Sequence, residues 1–380
     1  MQYFHISRFR SPSSPILCFP IFLLFFCVSG ATAQDACFVF EEGSGNTVVT
    51  GLTDMGMAAT ELTLPASVTT VRSGAFDGGR VVTLTLDGCN PVFGSDVLAG
   101  VKSTLTSVNA GNGMTAANLR TMLATLGPRD TRDRLEEVLI GGISDAATAT
   151  IKWTDMDAVL TSDVHVIMPA AQVRDQVFGD AEVYGRFTVS GELATFCGHA
   201  SFEDDDNANM LFYVPTEFRE DNRRVYIQRV HKVLAGQGVL IHNATGTATF
   251  ADLKRVETDE RSYDKNMLVG VTVPTAIPAT AGDKTNLILY QGAFHPTSSG
   301  TIAANRAYLQ IPTAQWTAWG VKQLTFSFSD TETAIGDIPV SINQREGTTK
   351  VYDIAGRRAP ADGKLRKGLY VRNGQKTFIR

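Results

Sequence analysis

Several side chains in this 380-residue chain have types and spacings that chemistry can use. Cys197-Gly198-His199 puts a sulfur and a ring nitrogen on one side of an extended segment, and both are zinc donors. Beyond residue 33 the histidines are His165, His199, His231, His242 and His295. None lies in a His-x-x-x-His frame and no Cys-x-x-Cys occurs, so two further ligands are not evident and the pair reads as an ordinary strand pair. Glu203-Asp204-Asp205-Asp206-Asn207 offers the hard oxygens that calcium prefers. It lacks the alternating spacing and glycine of an EF-hand loop and reads as a solvated acidic turn. Gly142-Ile143-Ser144-Asp145-Ala146 is not a Gly-x-Ser-x-Gly elbow. Gly236-Gln237-Gly238 lacks the third glycine of a dinucleotide loop and leads into a strand. No catalytic residue, cofactor or metal is therefore expected. Trp153, Trp316 and Trp319 have faces wide enough to stack on sugar rings. Trp316 and Trp319, three apart beside a turn, form the candidate ligand platform, with core packing as the plain alternative.

The elements that would position these groups are mostly strands. Apolar residues repeat 22 apart: Leu62 with Leu84, Leu64 with Leu86 and Val108, Phe76 with Leu98. A period between about 20 and 29 marks leucine-rich repeats, in which each unit buries its apolar side only by stacking on the next. Thr115 is placed to cap a helix carrying Leu119, Met122, Leu123 and Leu126 on one face, ended by Gly127-Pro128. Val164-His165-Val166-Ile167-Met168-Pro169, with Val177-Phe178-Gly179 as its plug, reads as a degenerate repeat or its closure. From residue 184 to 330, short apolar runs such as Val239-Leu240-Ile241 and Leu287-Ile288-Leu289-Tyr290 alternate with Gly, Asn, Asp and Pro turns, the pattern of an antiparallel sandwich or barrel.

Residues 1–33 read as a signal peptide. Arg8 and Arg10 precede an apolar run over 16–28, and Ala31-Thr32-Ala33 is a cleavage site. The run is shorter than the roughly 20 apolar residues a spanning helix needs, and no later stretch qualifies. Cys37, Cys89 and Cys197 remain beyond it. A Cys37–Cys89 disulfide is possible after export, with buried free thiols as the other reading. Residues 34–344 carry 22 basic and 36 acidic side chains, whereas 345–380 carry 10 and 3. An acidic body disfavours nucleic acid, whose phosphates need a basic face. The tail's charges are interleaved with apolar residues and read as a folded terminal element.

Leu62-Thr63-Leu64-Pro65-Ala66-Ser67-Val68-Thr69-Thr70-Val71, with Gly74-Ala75-Phe76, resembles the surface-antigen class of leucine-rich repeats, abundant on Bacteroides-like bacteria. Residues 233–241, 266–270 and 302–309 resemble parts of a β-rich module common in exported proteins of those bacteria. Val351-Tyr352-Asp353-Ile354-Ala355-Gly356-Arg357, with Lys367-Gly368-Leu369-Tyr370-Val371, resembles the C-terminal sorting domains of the type IX secretion route. That likeness assigns Asp353, Gly356, Arg357, Gly368 and Tyr370 to a sorting element. It implies passage across the outer membrane and recognition by the secretion machinery.

The chain is thus expected to be mainly β with a few short helices, an α+β protein. A signal peptide over 1–33 precedes a short leucine-rich-repeat-like solenoid with a helical insert over 34–183. A β-sandwich-like domain over 184–330, a linker over 331–346 and a small β element over 347–380 follow. The expected function is non-enzymatic binding or adhesion at the cell surface, to an extracellular protein or glycan. The alternatives are an accessory carbohydrate-binding or carbohydrate-active protein, and a structural subunit of an envelope assembly.

Overall fold

Leucine, valine and threonine alternate in short segments, and period-two alternation favours strands that bury one face. The computed structural model describes residues 35–141, 143, 151–204, 209–219 and 224–326, together with the backbone of short strands at 337–339, 351–353, 368–372 and 375–379. It is mainly β, with three short α-helices among the described residues. In the first half these are β1 (Phe38–Phe40), β2 (Val48–Leu52), α1 (Asp54–Ala58), β3 (Glu61–Thr63), β4 (Thr70–Val71), β5 (Thr83–Leu86), β6 (Val92–Phe93), β7 (Ser107–Ala110), α2 (Ala116–Ala124), β8 (Glu137–Ile140), β9 (Lys152–Trp153), β10 (His165–Pro169), β11 (Val177–Phe178) and β12 (Glu182–Val189).

The chain returns repeatedly to one parallel ladder, in the order β3-β5-β7-β8-β10-β12. Leu62, Leu84, Val108, Val138, Val166 and Val183 lie side by side across it, all buried. A second parallel stack, β2-β4-β6, aligns Val49, Val71 and Phe93 at steps of 22. The main ladder departs from that period. Leu84 faces Val108, 24 residues on, and Leu86 faces Ala110, so Val108 does not align with Leu86 as the 22-residue spacing predicts. Phe76 and Leu98 do hold the spacing as buried plugs. The two extra residues therefore fall between Leu98 and β7, where Ala99–Val101 forms a 3-10 turn. The next step, Val108 to Val138, is longer because α2 is inserted. Thr115 caps α2 by accepting from the Asn118 N–H at 3.3 Å, and Leu119, Met122 and Leu123 on its inner face are fully buried.

Strand β12 changes the character of the sheet. It pairs in parallel with β10 on one side and antiparallel with β19 (Thr249–Val256) on the other. Along the chain from β12 lie β13 (Leu193–Phe196), β14 (Ser201–Glu203), β15 (Met210–Arg219), β16 (Arg224–Arg229), β17 (Lys232–Val233) and β18 (Val239–Asn243). The parallel ladder and the antiparallel strands β19, β14 and β17 thus form one nine-stranded sheet. The division expected between residues 183 and 184 falls inside β12, which belongs to both.

A five-stranded sheet, β13-β18-β15-β16 plus a short strand at Asp337–Pro339, forms a central layer. Along β18, Val239 and Ile241 belong to the core shared with the nine-stranded sheet, whereas Leu240 belongs to a second core. Phe212 and Tyr213 on β15 divide the same way. Both faces of this sheet are covered, which is why its strands read as unbroken apolar runs. The second core is closed by β20 (Leu268–Val271), β22 (Thr280–Ala281), β23 (Lys284–Tyr290), β24 (Ala293–Pro296), β26 (Arg306–Pro312), α3 (Thr313–Trp319) and β27 (Leu324–Thr325), with the hairpin of β21 (Thr275–Pro278) and β25 (Ser299–Ile302) beside them. Three β layers result.

The expected linker over 331–346 is not without structure. Its residues Asp337–Pro339, β28, pair with β16, Ile338 against Val225. The last three strands, β29 (Val351–Asp353), β30 (Gly368–Arg372) and β31 (Gln375–Ile379), form a separate antiparallel sheet with Asp353 opposite Tyr370.

Ion pairs tie down the longer turns. Lys102 reaches Asp130 at 3.1 Å and Asp133 at 3.4 Å, Arg132 reaches Asp130, and Arg129 reaches Asp163 at 2.7 Å. A hydrogen bond from Arg132 holds Asp130 well below the usual carboxylate range. The Thr161 hydroxyl lowers Asp163, and the Lys254 ammonium lowers Glu182. Carboxylates depressed in the folded state add stability above their unfolded values, 3.8 for Asp and 4.5 for Glu, and lose it as pH falls through the folded values. The unfolding midpoint should hold level from about pH 7 to about pH 5 and fall steadily below that. Melting curves at pH 7, 5, 4 and 3 check this, and a midpoint unchanged at pH 3 would contradict it.

Candidate functional site

A sizeable cavity lies where the central and outer layers part. The β12–β13 turn, the free edge of β13, the β23–β24 turn, the whole of β25 and the start of β26 surround about 530 Å³. That volume falls in the range of ligand sites. The β23–β24 turn is Gln291-Gly292, both with positive φ (49° and 77°), the two-residue turn that suits the twist of a hairpin. Ser190, Ser299 and Thr301 are exposed on the walls, and Thr195 is buried at the base. Ile277 and Ile302 give an aliphatic side.

Arg306 stands at one end of this cavity and also lines a second, of about 280 Å³. Thr188, Val189, Ala194 and Thr195 line both, so the two cavities adjoin, and together they make up a trough. The turn that presents Arg306 is fixed to the edge of β13. Asn305 adopts a left-handed conformation (φ 58°), open to asparagine more than to most residues. Its Nδ2 donates to the Cys197 carbonyl at 3.0 Å. The Ala307 N–H donates to Thr195 Oγ1 at 3.1 Å, and Arg306 Nη1 donates to the Thr195 carbonyl at 3.3 Å.

The charges of the trough differ in kind. Arg186, on the wall of the smaller cavity, is neutralised by Asp252 through two bonds at 2.7 and 2.6 Å and lies 4.4 Å over the Phe250 ring. Arg306 pairs with no carboxylate among the described residues. Neither cavity has an aspartate or glutamate in its wall. The trough therefore offers hydroxyls, backbone edges, an aliphatic side and one uncompensated guanidinium.

The expected site residues lie elsewhere. Trp319 is 6% exposed and stacks on Phe218 at 4.0 Å within the second core, so it presents no face to a ligand. Trp316 is half-buried against the same core. Trp319 thus takes the core packing named as the plain alternative, because α3 turns it into the apolar layer, while Trp316 keeps part of its indole at the surface. Trp153 is buried edge-on to Phe178.

Cys197 is buried, and burial pushes its thiol up to about 11, away from the thiolate a metal needs. Among the described residues no three His, Cys, Asp or Glu side chains converge as metal ligands. In the acidic run, Asp204 is buried with Arg229 at 3.5 Å, while 205–208 lie outside the described residues. Cys37 and Cys89 are not linked by a disulfide. Of the sorting-like residues, Asp353, Gly368 and Tyr370 lie on paired strands. Gly356 and Arg357 lie outside the described residues.

The three pieces at 233–241, 266–270 and 302–309 meet at this junction. Asn266 Nδ2 donates to the Gly238 carbonyl at 2.9 Å, and Gly270 lies opposite Ala307. Arg306 lies within the last piece, but no local pattern marks it as unpaired. Its lack of a carboxylate partner among the described residues is decided by which walls fold around it.

Comparison with family models, with curated proteins and with solved structures finds no match for this chain. No helix among the described residues is long and apolar enough to cross a membrane as a helix.

Proposed function

We propose that this chain is a non-enzymatic, exported cell-surface protein that binds an extracellular ligand in the trough at Arg306. In this reading residues 1–33 are removed on export. The parallel ladder is a leucine-rich-repeat-type scaffold, the antiparallel layers a sandwich-like domain, and residues 347–380 the sorting element. One observation carries the binding clause: a cavity of about 530 Å³ with polar walls holds a guanidinium that has no carboxylate partner among the described residues. The hydroxyls and guanidinium are recognition groups, able to fix a ligand by hydrogen bonds and charge. The export clause rests on the leader, the Asp353 and Gly368-Tyr370 elements and their likeness to sorting domains.

Two experiments test it. Removal of residues 350–380 is expected to abolish surface exposure in a protease-shaving assay on the native cell, with the rest of the chain still folded. Equal exposure of the truncated protein would overturn the sorting clause. Thr301→Trp, which places an indole in the open cavity, should remove saturable binding in a screen of extracellular proteins and glycans while leaving the melting curve unchanged. A ligand that binds Thr301→Trp as tightly as the parent protein does not use the trough.

A further inference from the structure

We propose that the trough takes an acidic oligosaccharide, with a carboxylate of one sugar unit paired with Arg306. This rests on the reading of the trough as the ligand site and names the ligand's chemistry.

The charge argument comes first. Arg306 uses Nη1 on one carbonyl at 3.3 Å, a long bond, and the rest of the fork has no protein acceptor among the described residues. A guanidinium in a cleft without carboxylates is matched by a carboxylate, which it binds with two parallel charge-assisted bonds. The turn holds it in place at three points, through Asn305, Ala307 and Arg306 itself. These bonds fix the backbone that carries Arg306, while its side chain, exposed and held by one long bond, is free to turn its fork to the anion.

The walls then choose among anions. Thr188, Ser190, Thr195, Thr297, Ser299 and Thr301 place six hydroxyls around the larger cavity. Hydroxyls donate and accept, so they suit a ligand that is itself polyhydroxylated. The larger cavity has no aromatic ring in its wall. A neutral sugar is commonly held by stacking on such a ring, so here recognition falls to charge and hydrogen bonds. Ile277 and Ile302 give an aliphatic surface for the apolar face of a sugar or an N-acyl methyl group. The trough continues into the smaller cavity, beside Arg186, whose charge is already spent on Asp252. Two adjoining cavities that share Arg306, the one lining cation without a carboxylate partner among the described residues, fit a chain of sugars with its acidic unit at Arg306.

The test compares matched probes on the whole protein: sialyllactose against lactose, and a glucuronate-ended oligosaccharide against its glucose-ended counterpart, by calorimetry. At least one acidic member should bind saturably and at least about tenfold tighter than its neutral match, with affinity falling as salt rises. Arg306→Gln should weaken that binding by roughly 10- to 100-fold, the range of a lost charged hydrogen bond, and Arg306→Lys by less. Melting curves of both variants should match the parent, because Arg306 is exposed and makes one long bond.

Equal binding of acidic and neutral members, or binding indifferent to Arg306→Gln but lost in Thr301→Trp, would overturn the acidic clause while leaving the trough as a ligand site. A peptide with a free C-terminal carboxylate, titrated in the same calorimetry, that binds where no sugar does would overturn the sugar clause. Absence of saturable binding to every probe would overturn the proposal.

Discussion

Phe187→Ala is expected to lower the unfolding free energy by about 3–5 kcal/mol, the cost of a large buried cavity. Phe187 is 3% exposed and lies on β12, the strand shared by the parallel ladder and the antiparallel strands. Its ring meets Phe196 at 4.8 Å, Phe202 at 5.2 Å and Phe212 at 5.3 Å, all three in edge-on geometry. These partners come from β13, β14 and β15, so one side chain joins the nine-stranded and central sheets. Alanine removes every one of these ring contacts, and a cage of three aromatic rings cannot collapse into the space. Against a total stability of about 5–15 kcal/mol, the loss is large. The melting midpoint should drop by about 10 °C, and Phe187→Leu, which keeps most of the volume, should cost about 1.5 kcal/mol or less. Thermal and urea unfolding measure both. Equal, small effects of the two substitutions would show that the aromatic cluster is not a joint between the layers.

Gly270→Val is expected to detach the outer layer at its corner. A Cβ at Gly270 would overlap the Cys197 sulfur, lie 2.9 Å from the Cys197 Cβ and lie 3.0 Å from the Gly238 nitrogen. Gly238 is equally confined, by Ala307 and Leu268. Packed sheets usually stand about 10 Å apart, but here two backbones touch. The contact is reinforced by the Met267 N–H to Pro215 carbonyl bond at 2.8 Å. The obstacle is partly backbone, which cannot rotate away, so the cost should reach about 3 kcal/mol, the upper end of ordinary overpacking. Gly270 also lies opposite Ala307, next to Arg306, so trough binding should be lost with it. Limited proteolysis should open the 257–266 segment ahead of the parallel ladder. Adding Cys197→Ala should recover part of the stability, since the sulfur is removed and the Gly238 backbone is not. Native proteolysis and intact binding in Gly270→Val would refute this account of the corner.

Much of the first half was legible in the sequence because it is local. The 22-residue spacing of Leu62 with Leu84 is kept in the main ladder, and Thr115 with Leu119, Met122 and Leu123 announced a capped, one-sided helix. Where the period slipped, as at Val108, the cause was an insertion on the side away from the ladder, which spacing counts but cannot locate. The runs Val239-Leu240-Ile241 and Leu287-Ile288-Leu289 named strands without naming their neighbours. Nothing local in Glu182–Val189 says that one edge pairs in parallel and the other antiparallel, so the boundary at 183/184 cut through a strand. Asp337–Pro339 is polar and proline-bearing, features of a linker, and becomes an edge strand because β16 has a side to pair.

By itself the sequence determined the strand-rich character, the repeated apolar steps, the capped helix and the acidic body with a basic end, because these follow from side-chain periodicity and charge. The candidate site proposed at Arg306 is legible only in the tertiary structure. An indole can stack on a sugar and a guanidinium can pair with an acidic one, and the chain gives no local reason to prefer Trp319 or Arg306. Packing buries the indole against Phe218 and leaves the guanidinium facing a trough without carboxylates. Burial and charge compensation depend on which distant walls converge, and that information is held in no single segment.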